Sequence, residues 1–202
     1  RLQDHGILGP KTILGHCIHV NTAEMEIIRE TDTMVVNNPE SNMGNAVGIS
    51  PVLQLYRHGI LLGMGTDAYT NDMLESLKVA LCSQRHNACL PNVGWCEVTD
   101  MLFKNNAKIG ARYFETPLGV LKPGAAADII VMDYKPFTPF SDENIDGHMI
   151  FGMTGRQCQT TIANGRVLML DRELVGVDEE VENAYILEAA KKLWGELNHR
   201  TY

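Results

Sequence analysis

The sequence predicts an α/β protein with a parallel sheet, followed by a β-rich segment and a terminal helix. Short apolar, β-prone runs that alternate with helical patterns are typical of βα units, whose strands run parallel. Three such runs lie in the first part of the chain, at residues 11–20, 33–38 and 60–67. After residue 117, Gly and Pro interrupt β-prone runs and no helical pattern separates them. We therefore expect two domains, 1–117 and 118–202.

The first run, KTILGHCIHV, is apolar without alternation, as in a strand that is buried on both faces of a parallel sheet. The helix predicted after it covers TAEMEIIRE, with Thr22 as its N-cap. The next predicted helix follows the second run: Ser50 is suited to its N-cap, Pro51 to its first turn and Gly59 to its end.

Two further helices, at 71–89 and 96–114, are expected to cover the sheet. Asn164 and Gly165 lie between two β-prone runs, which is the strongest short-range signal for a type I′ hairpin. Residues 177–197 place acidic residues early and lysines late, as a helix dipole favours. We expect this terminal helix to dock through five apolar side chains: Val181, Ile186, Leu187, Leu193 and Leu197.

Composition restricts the class of function. The chain has 202 residues, a net charge of −8 and a pI near 5.3, without a Lys/Arg cluster. Nucleic-acid binding needs concentrated positive charge, so we expect no nucleic-acid partner. The longest apolar runs are shorter than the roughly 18 residues that span a bilayer, and the first residues lack a signal-peptide pattern. We expect a cytoplasmic protein with no membrane partner and a small-molecule substrate.

Five cysteines without a C-x-x-C pair suit a reducing compartment, so we expect free thiols. Cys82 and Cys89 lie seven residues apart on one predicted helix. We expect both to pack in the core on the same helical face.

Two side chains capable of metal chemistry fall at predicted strand ends. His16 lies in the first run and Asp67 ends the third. The carboxyl ends of parallel strands share one edge, so an imidazole and a carboxylate there can converge on one metal ion and its bound water. A helix cap or a loop hydrogen bond is the alternative for Asp67. His19 is three residues beyond His16, so on an alternating strand it faces away and is expected to be structural.

The polar segment after the second run contains Asn38, Ser41 and Asn42. It is longer than the usual two to six residues that connect a strand to a helix, which favours a functional loop over a plain turn. We expect these three residues to bind substrate.

Five motifs occur in an order that is informative: GHCIHV, NNPESN with GISPV, GTD, GVLKPGAAADIIVMD and ANGRVL. The series resembles the amidohydrolase superfamily, in its branch of guanine deaminase, S-adenosylhomocysteine deaminase and the chlorohydrolases. The resemblance covers nearly the whole chain. It implies the C-terminal part of a (β/α)8 TIM barrel, strands 6–8, with part of a small composite β-sandwich and a C-terminal helix.

The resemblance also implies residue roles. His16 matches a sixth-strand histidine that bonds the hydrolytic water or substrate, or ligates a second metal. Asp67 matches an eighth-strand aspartate that binds metal and transfers the proton. The implied cofactor is a divalent metal ion, with zinc as first candidate and iron or manganese as alternatives.

Two departures from the family pattern stand out. Asn37 occupies a place where the family often has histidine. The H-x-H pair of the first barrel strand and the histidine of the fifth have no counterpart in these residues. We therefore expect the 202-residue chain alone to be inactive, with exposed sheet edges, and to form a homo-oligomer or associate with a missing N-terminal part.

The leading hypothesis is hydrolysis of C–N bonds by an aminohydrolase (deaminase) acting on a purine- or pterin-like ring. One alternative is a chlorohydrolase or amide hydrolase on the same scaffold, because a fold does not fix a substrate. Another is a non-catalytic scaffold or assembly protein.

Overall fold

The structure is a computed structural model that describes residues 1–200. Strands and helices alternate in the first half of the chain, and strands pair as neighbours later. In chain order the elements are β1 Ile13–Gly15, α1 Thr22–Glu30, β2 Met34–Asn37, α2 Pro39–Gly44, α3 Val52–Arg57, β3 Leu62–Met64, α4 Met73–Ala88, α5 Trp95–Asp100, a π-helical turn Met101–Asn105, α6 Asn106–Gly110, β4 Ile129–Met132, the short helix α7 Ile145–Gly147, a π-helical turn His148–Gly152, a 3-10 turn Gly155–Gln157, β5 Cys158–Ala163, β6 Arg166–Leu170, β7 Glu173–Leu174 and α8 Glu179–Asn198.

The chain forms two compact units. The first comprises residues 1–127 and 133–157, and the second comprises 128–132 and the residues from 158 onward. These units divide the chain at other positions than the boundary near 117, and the assignment of domains 1–117 and 118–202 stays a prediction.

The first unit contains the predicted parallel sheet, in the order β1-β2-β3. Val35, in the middle strand, pairs with Leu14 on one side and Leu62 on the other. The strands are shorter than their apolar runs. The run 11–20 forms a strand only at Ile13–Gly15, because the next two residues have left-handed backbone angles that end the ladder.

Helices on this unit bury one continuous core. Met25 and Ile28 of α1 and Leu77 and Leu81 of α4 are buried in one cluster with Val35. Fully burying such a side chain contributes about 1.5–3 kcal/mol. The core therefore holds the three strand ends in a fixed arrangement.

Two helix starts differ from prediction. Asn21, one residue before Thr22, caps α1: its side chain accepts the Glu24 N–H, and Glu24 returns a bond to the Asn21 N–H. This reciprocal capping box provides acceptors for two backbone N–H groups at the start of the helix, which have no partner within the helix. The other helix, α3, is preceded by Pro51 as its N-cap, without a side-chain bond from Ser50.

The helix α4 ends at Cys89, which adopts a left-handed conformation (φ 52°). Cys82 and Cys89 are both exposed. The prediction that they pack in the core was wrong, because that face of α4 points outward. All five cysteines are free thiols, as predicted.

The predicted helix 96–114 is interrupted by the π-helical turn. This turn brings two asparagines against β3. The Asn105 amide donates to the Leu62 carbonyl, and the Asn106 side chain bonds both the N–H and the carbonyl of Met64. The outer edge of β3 is thus partly satisfied by side-chain amides, which limits the open edge expected from sequence.

The second unit contains an antiparallel sheet in the order β4-β5-β6-β7. Asn164 (φ 48°) and Gly165 (φ 78°) connect β5 to β6. Positive φ at both central residues defines a type I′ turn, so the hairpin prediction is confirmed.

The terminal helix α8 begins after Asp178, whose side chain accepts the Val181 N–H. Its acidic first turn suits the helix dipole. None of its residues is buried, and four of the five predicted docking side chains, Val181, Ile186, Leu187 and Leu193, are exposed. Across residues 1–200, no helix combines the length and the apolarity that a membrane crossing requires.

Candidate active site

The site candidates lie at the carboxyl ends of the three parallel strands. His16 directly follows β1, Asn38 directly follows β2, and Asp67 lies three residues after β3. The His16 N–H still donates to the Val36 carbonyl at 2.8 Å. This bond fixes the histidine to the sheet edge where functional groups of parallel sheets collect.

Three residues at this edge have left-handed backbone angles without being glycine: His16 (φ 66°), Cys17 (φ 46°) and Asp67 (φ 56°). Such angles are uncommon for residues with a side chain and cost free energy that the surrounding structure must offset. His16 and Cys17 turn the chain sharply at the end of β1. His16 and His19 therefore do not lie on one extended strand, and the alternation of strand faces does not separate their side chains.

His16 and Asp67 face each other. The His16 Nε2 lies 3.6 Å from Asp67 Oδ2, and the two side chains are 39% and 40% exposed. An imidazole nitrogen and a carboxylate oxygen at this separation, both reachable from solvent, can share a cation or a water molecule. The structure thus brings together the two residues that the sequence selected.

The helix α2 supports both residues from one side. It occupies the segment predicted as a loop and begins at Pro39, which suits the first helical turn. The Ser41 hydroxyl donates to Asp67 Oδ2 at 2.7 Å, and His16 Nδ1 lies 2.7 Å from Asn42 Oδ1. The polar atoms of Ser41 and Asn42 therefore hold Asp67 and His16, and substrate binding by these two residues stays a prediction.

These contacts stabilise the charged form of Asp67. The hydroxyl of Ser41 and then the backbone N–H of Ala68 lower the pKa of this carboxyl. Desolvation opposes them, and the charge of His16, when this ring is protonated, lowers the pKa further. Asp67 is consequently ionised at neutral pH. An ionised carboxylate can bind a cation or accept a proton.

The thiol beside His16 packs against the core and does not border the open cavity next to the His16–Asp67 pair. Burial, and then the charge of Glu24, raises the pKa of Cys17 to about 11. The thiol is therefore protonated at neutral pH in the metal-free chain.

Asn37 lies behind Asn42. The Asn42 amide nitrogen donates to Asn37 Oδ1 at 3.3 Å, and both residues are buried. The Asn37 Nδ2 is buried and finds no hydrogen-bond partner among residues 1–200. Leaving a donor unpaired costs about 1–3 kcal/mol, so stability alone does not explain this asparagine.

Asn38 is placed differently from its neighbours. It is buried, and a Cβ built on Gly65 would lie 2.5 Å from Asn38 Oδ1. Glycine at 65 thus gives the Asn38 side chain room between the ends of β2 and β3. Asn38 does not border the open cavity that adjoins His16 and Asp67.

An open cavity of about 690 Å³ adjoins the His16–Asp67 pair. Its wall is formed by eight residues: His16, Ile18, His19, Ser41, Asn42, Asn45, Val47 and Asp67. His19, expected to be structural, borders the same space as His16. This volume is within the range of small-molecule sites in proteins.

Asn45 was missed by sequence reasoning. Its amide nitrogen donates to the carbonyl of Ser41 at 3.0 Å and to the Ser41 hydroxyl at 3.3 Å. It therefore orients the hydroxyl that bonds Asp67. The signal was its position four residues after Ser41, which is meaningful only once the segment is recognised as helical.

Two of the other histidines are hydrogen-bonded away from the candidate site. His58 pairs with Glu26 at 3.1 Å, and His148 Nδ1 lies 2.6 Å from the Tyr134 hydroxyl. Both side chains thus have hydrogen-bond partners outside the candidate site.

The donor set fits a divalent metal only in part. His16 and Asp67 offer one nitrogen and one oxygen, which are common zinc donors. No cluster of three or more His, Cys, Asp or Glu able to hold a metal occurs in the described part of the chain. Structural and catalytic zinc sites have three or four protein ligands, so these two residues can supply a share of such a site.

Comparison with known proteins identifies the family. Residues 1–168 match the Amidohydrolase family, and the chain belongs to it. Among curated relatives, the 5'-deoxyadenosine deaminase of Methanothermobacter thermautotrophicus is 32% identical over 206 residues, which cover 97% of this chain and 45% of that protein. The 5-methylthioadenosine/S-adenosylhomocysteine deaminase of Thermococcus onnurineus is 32% identical over 177 residues, covering 86% of this chain and 41% of that protein. The chain thus spans less than half the length of these relatives.

Solved structures show the same fold. An adenosine deaminase from Xanthomonas campestris with bound zinc superposes with a TM-score of 0.84 at 22% identity, covering 96% of this chain and 45% of that one. The atrazine chlorohydrolase of Arthrobacter aurescens, complexed with zinc, gives a TM-score of 0.74 at 24% identity, with coverage of 92% and 42%. The mixed α/β fold predicted from sequence is confirmed, and so is the resemblance to amidohydrolases.

Proposed function

We propose that the protein is part of a metal-dependent aminohydrolase that deaminates a purine-type ring, with His16 and Asp67 in its hydrolytic site. The approach of His16 Nε2 to Asp67 Oδ2, beside an open cavity in an amidohydrolase chain, carries this proposal. The names of two similar proteins give 5'-deoxyadenosine and 5-methylthioadenosine/S-adenosylhomocysteine as their substrates, which supports an adenine nucleoside.

The three parallel strands are proposed as strands 6–8 of a (β/α)8 barrel, and β4–β7 as part of a composite β-sandwich. The order of parallel strands with intervening helices supports the barrel assignment. The domain boundaries 1–117 and 118–202 belong to the same proposal.

Zinc is the metal that we propose, since zinc is present in two structures of similar fold. When bound, such a metal lowers the pKa of a coordinated water molecule to about 7. His16 and Asp67 would hold it together with ligands from sequence outside this chain, because two protein donors are fewer than a zinc site requires. Association with that sequence, or with another copy, is part of the proposal.

Asp67 is the proposed proton carrier. Its carboxylate accepts a proton from the attacking water while the water oxygen bonds to the ring carbon. The same proton then passes to the departing amino group, the C–N bond breaks and ammonia leaves. The second proton of the water moves from the oxygen to the adjacent ring nitrogen, so that a carbonyl remains on the ring. Ser41 and Ala68 keep this carboxylate ionised and oriented before the reaction.

The test is release of ammonia from 5'-deoxyadenosine, 5-methylthioadenosine and S-adenosylhomocysteine by the whole zinc-loaded protein that contains this chain. Asp67→Asn should lower the rate by about 10²–10⁴-fold, the usual contribution of general acid–base catalysis. Asp142→Asn, at an exposed position, is the matched control and should keep full activity. Full activity in Asp67→Asn would refute the assignment of this residue.

The same assay separates the alternatives. Chloride release from a chlorinated triazine, without ammonia release from any nucleoside, would identify a chlorohydrolase in place of a deaminase. Absence of turnover and of metal binding in the whole protein would favour a scaffold.

A further inference from the structure

We propose that Asn42, held by Asn37, fixes His16 in the tautomer that carries its proton on Nδ1 and leaves Nε2 unprotonated toward Asp67. Asn42 is then a positioning residue for the site. The tautomer itself is independent of any reaction, whereas its catalytic meaning rests on the proposed function.

The contact between His16 and Asn42 indicates which ring nitrogen carries the proton. The His16 Nδ1 lies 2.7 Å from Asn42 Oδ1. A carbonyl oxygen accepts hydrogen bonds and cannot donate them, so the imidazole nitrogen must be the donor. In a neutral imidazole the other nitrogen then has no proton.

The Asn42 amide presents its oxygen to His16 and its nitrogen to Asn37. The Asn42 Nδ2 donates to Asn37 Oδ1 at 3.3 Å. With the Asn42 nitrogen on the Asn37 side, the Asn42 oxygen faces His16. Both asparagines are buried, where water does not compete for these atoms. The Asn37 Nδ2 has no hydrogen-bond partner among residues 1–200, so the direction of both amides depends on this bond and on the one to His16.

The far side of the ring faces Asp67. The His16 Nε2 lies 3.6 Å from Asp67 Oδ2, beyond the usual 2.7–3.2 Å of an N–H···O bond, and that oxygen already accepts the Ser41 hydroxyl at 2.7 Å. The separation therefore does not require a proton on Nε2.

The consequence is a restriction on what His16 can do. An unprotonated Nε2 offers a lone pair to a cation or accepts a hydrogen bond from water. It cannot donate a proton to a substrate. Partners that orient the second nitrogen of a metal-binding histidine act in this way, and their loss weakens metal affinity by about 10–100-fold.

Long-range ¹H–¹⁵N NMR spectra read the tautomer directly. They are recorded on the metal-free protein at increasing pH, until the pattern no longer changes. His16→Gln identifies the signal among the seven histidines. The expected pattern is Nδ1–H for His16. A predominant Nε2–H pattern would mean that both amides are reversed and would overturn the proposal.

Matched variants test the cause. Asn42→Asp keeps an oxygen acceptor and should preserve the Nδ1–H tautomer, whereas Asn42→Leu removes it and should lose the preference. Asn87→Leu, at an exposed helical position, should change nothing. If Asn42→Leu keeps the wild-type pattern, another group sets the tautomer. If that variant fails to fold, the wild-type spectrum alone still decides.

Zinc titration adds a second readout. Asn42→Leu should bind Zn²⁺ about 10–100-fold more weakly in the whole protein, and Asn87→Leu should bind it as wild type does. Failure of deaminase activity with the Nδ1–H tautomer intact would refute the proposed function alone. A reversed tautomer with normal activity would refute this inference alone.

Discussion

The two sheets of this molecule are stabilised in different ways. In the parallel sheet, Met34 and Val35 of β2 are fully buried under helices. In the antiparallel sheet, β6 (Arg166–Leu170) has no buried residue, although three of its five side chains are apolar aliphatic and a fourth is methionine. Similar β-prone runs thus lead to opposite degrees of burial.

The difference shows where the folding free energy is concentrated. Hydrophobic burial is the dominant favourable contribution to folding, and the buried apolar residues of the described chain all belong to the first unit. The second unit is held by ladder hydrogen bonds, a tight turn and helix caps. The candidate site lies at the edge of the sheet that is supported by a core, which suits a site whose atoms must be held in place.

The largest expected effect is loss of a core side chain. Leu62 of β3 is 0% exposed and Leu170 of β6 is 53% exposed. Leu62→Ala should lower the free energy of unfolding by about 2–5 kcal/mol, because it removes buried methyl groups and leaves a cavity. Leu170→Ala should change it by less than about 0.5 kcal/mol. Urea unfolding followed by circular dichroism measures both, and a similar cost for both would mean that β6 is covered in solution.

A hydrogen bond between helices should have a smaller effect. The Tyr56 hydroxyl of α3 donates to Asp100 of α5 at 2.7 Å. This bond, together with desolvation, raises the pKa of Tyr56 from 10.0 to about 12. Tyr56→Phe should lower the unfolding free energy by about 1.5 kcal/mol near neutral pH, as expected for a bond to a charged group.

The same bond predicts a pH dependence with a definite sign. Since the folded-state pKa of Tyr56 is raised, its contribution is complete below about pH 10 and is lost as the pH rises toward 12. The stability difference between wild type and Tyr56→Phe should shrink over that window. A difference that stays constant up to pH 12 would contradict the assignment.

In the second unit, backbone conformation should matter more than burial. Gly165 has φ 78°, and a Cβ added there would meet open space, as would one added at Gly195 in α8, where the helical angles are ordinary. Gly165→Ala should cost about 1–2 kcal/mol, because alanine is strained in the left-handed region. Gly195→Ala should stabilise by about 0.5–1 kcal/mol through helix propensity. Thermal unfolding of the two variants should therefore shift in opposite directions.

Sequence reasoning succeeded where a feature depends on local pattern and failed where it depends on tertiary contacts. The alternation of strands and helices, the Asn164-Gly165 turn and the terminal helix were predictable because they depend on local pattern. The pairing of His16 with Asp67 was predictable because parallel strands end at one edge. Local pattern did not reveal α2, whose six residues are largely polar, nor the left-handed turn after Gly15.

Contacts between distant residues were beyond the sequence. Nothing in the spacing of Asn37, Asn42 and His16 indicates that two amides connect to one imidazole, because the bonds depend on side-chain direction after folding. The outward orientation of Cys82 depends likewise on which face of α4 meets the core.

The smallest stability effect, with the clearest optical signal, concerns the two tryptophans. Trp95 packs against the core of the first unit beside Phe151 and Arg85, whereas Trp194 in α8 is 61% exposed. Trp194→Phe should change the unfolding free energy by less than about 0.5 kcal/mol. In single-tryptophan variants, acrylamide should quench Trp194 strongly and Trp95 weakly. Strong protection of Trp194 would show that the apolar side chains of α8 are covered in solution. The contrast between a buried first unit and an exposed second unit would then be wrong for the protein in solution.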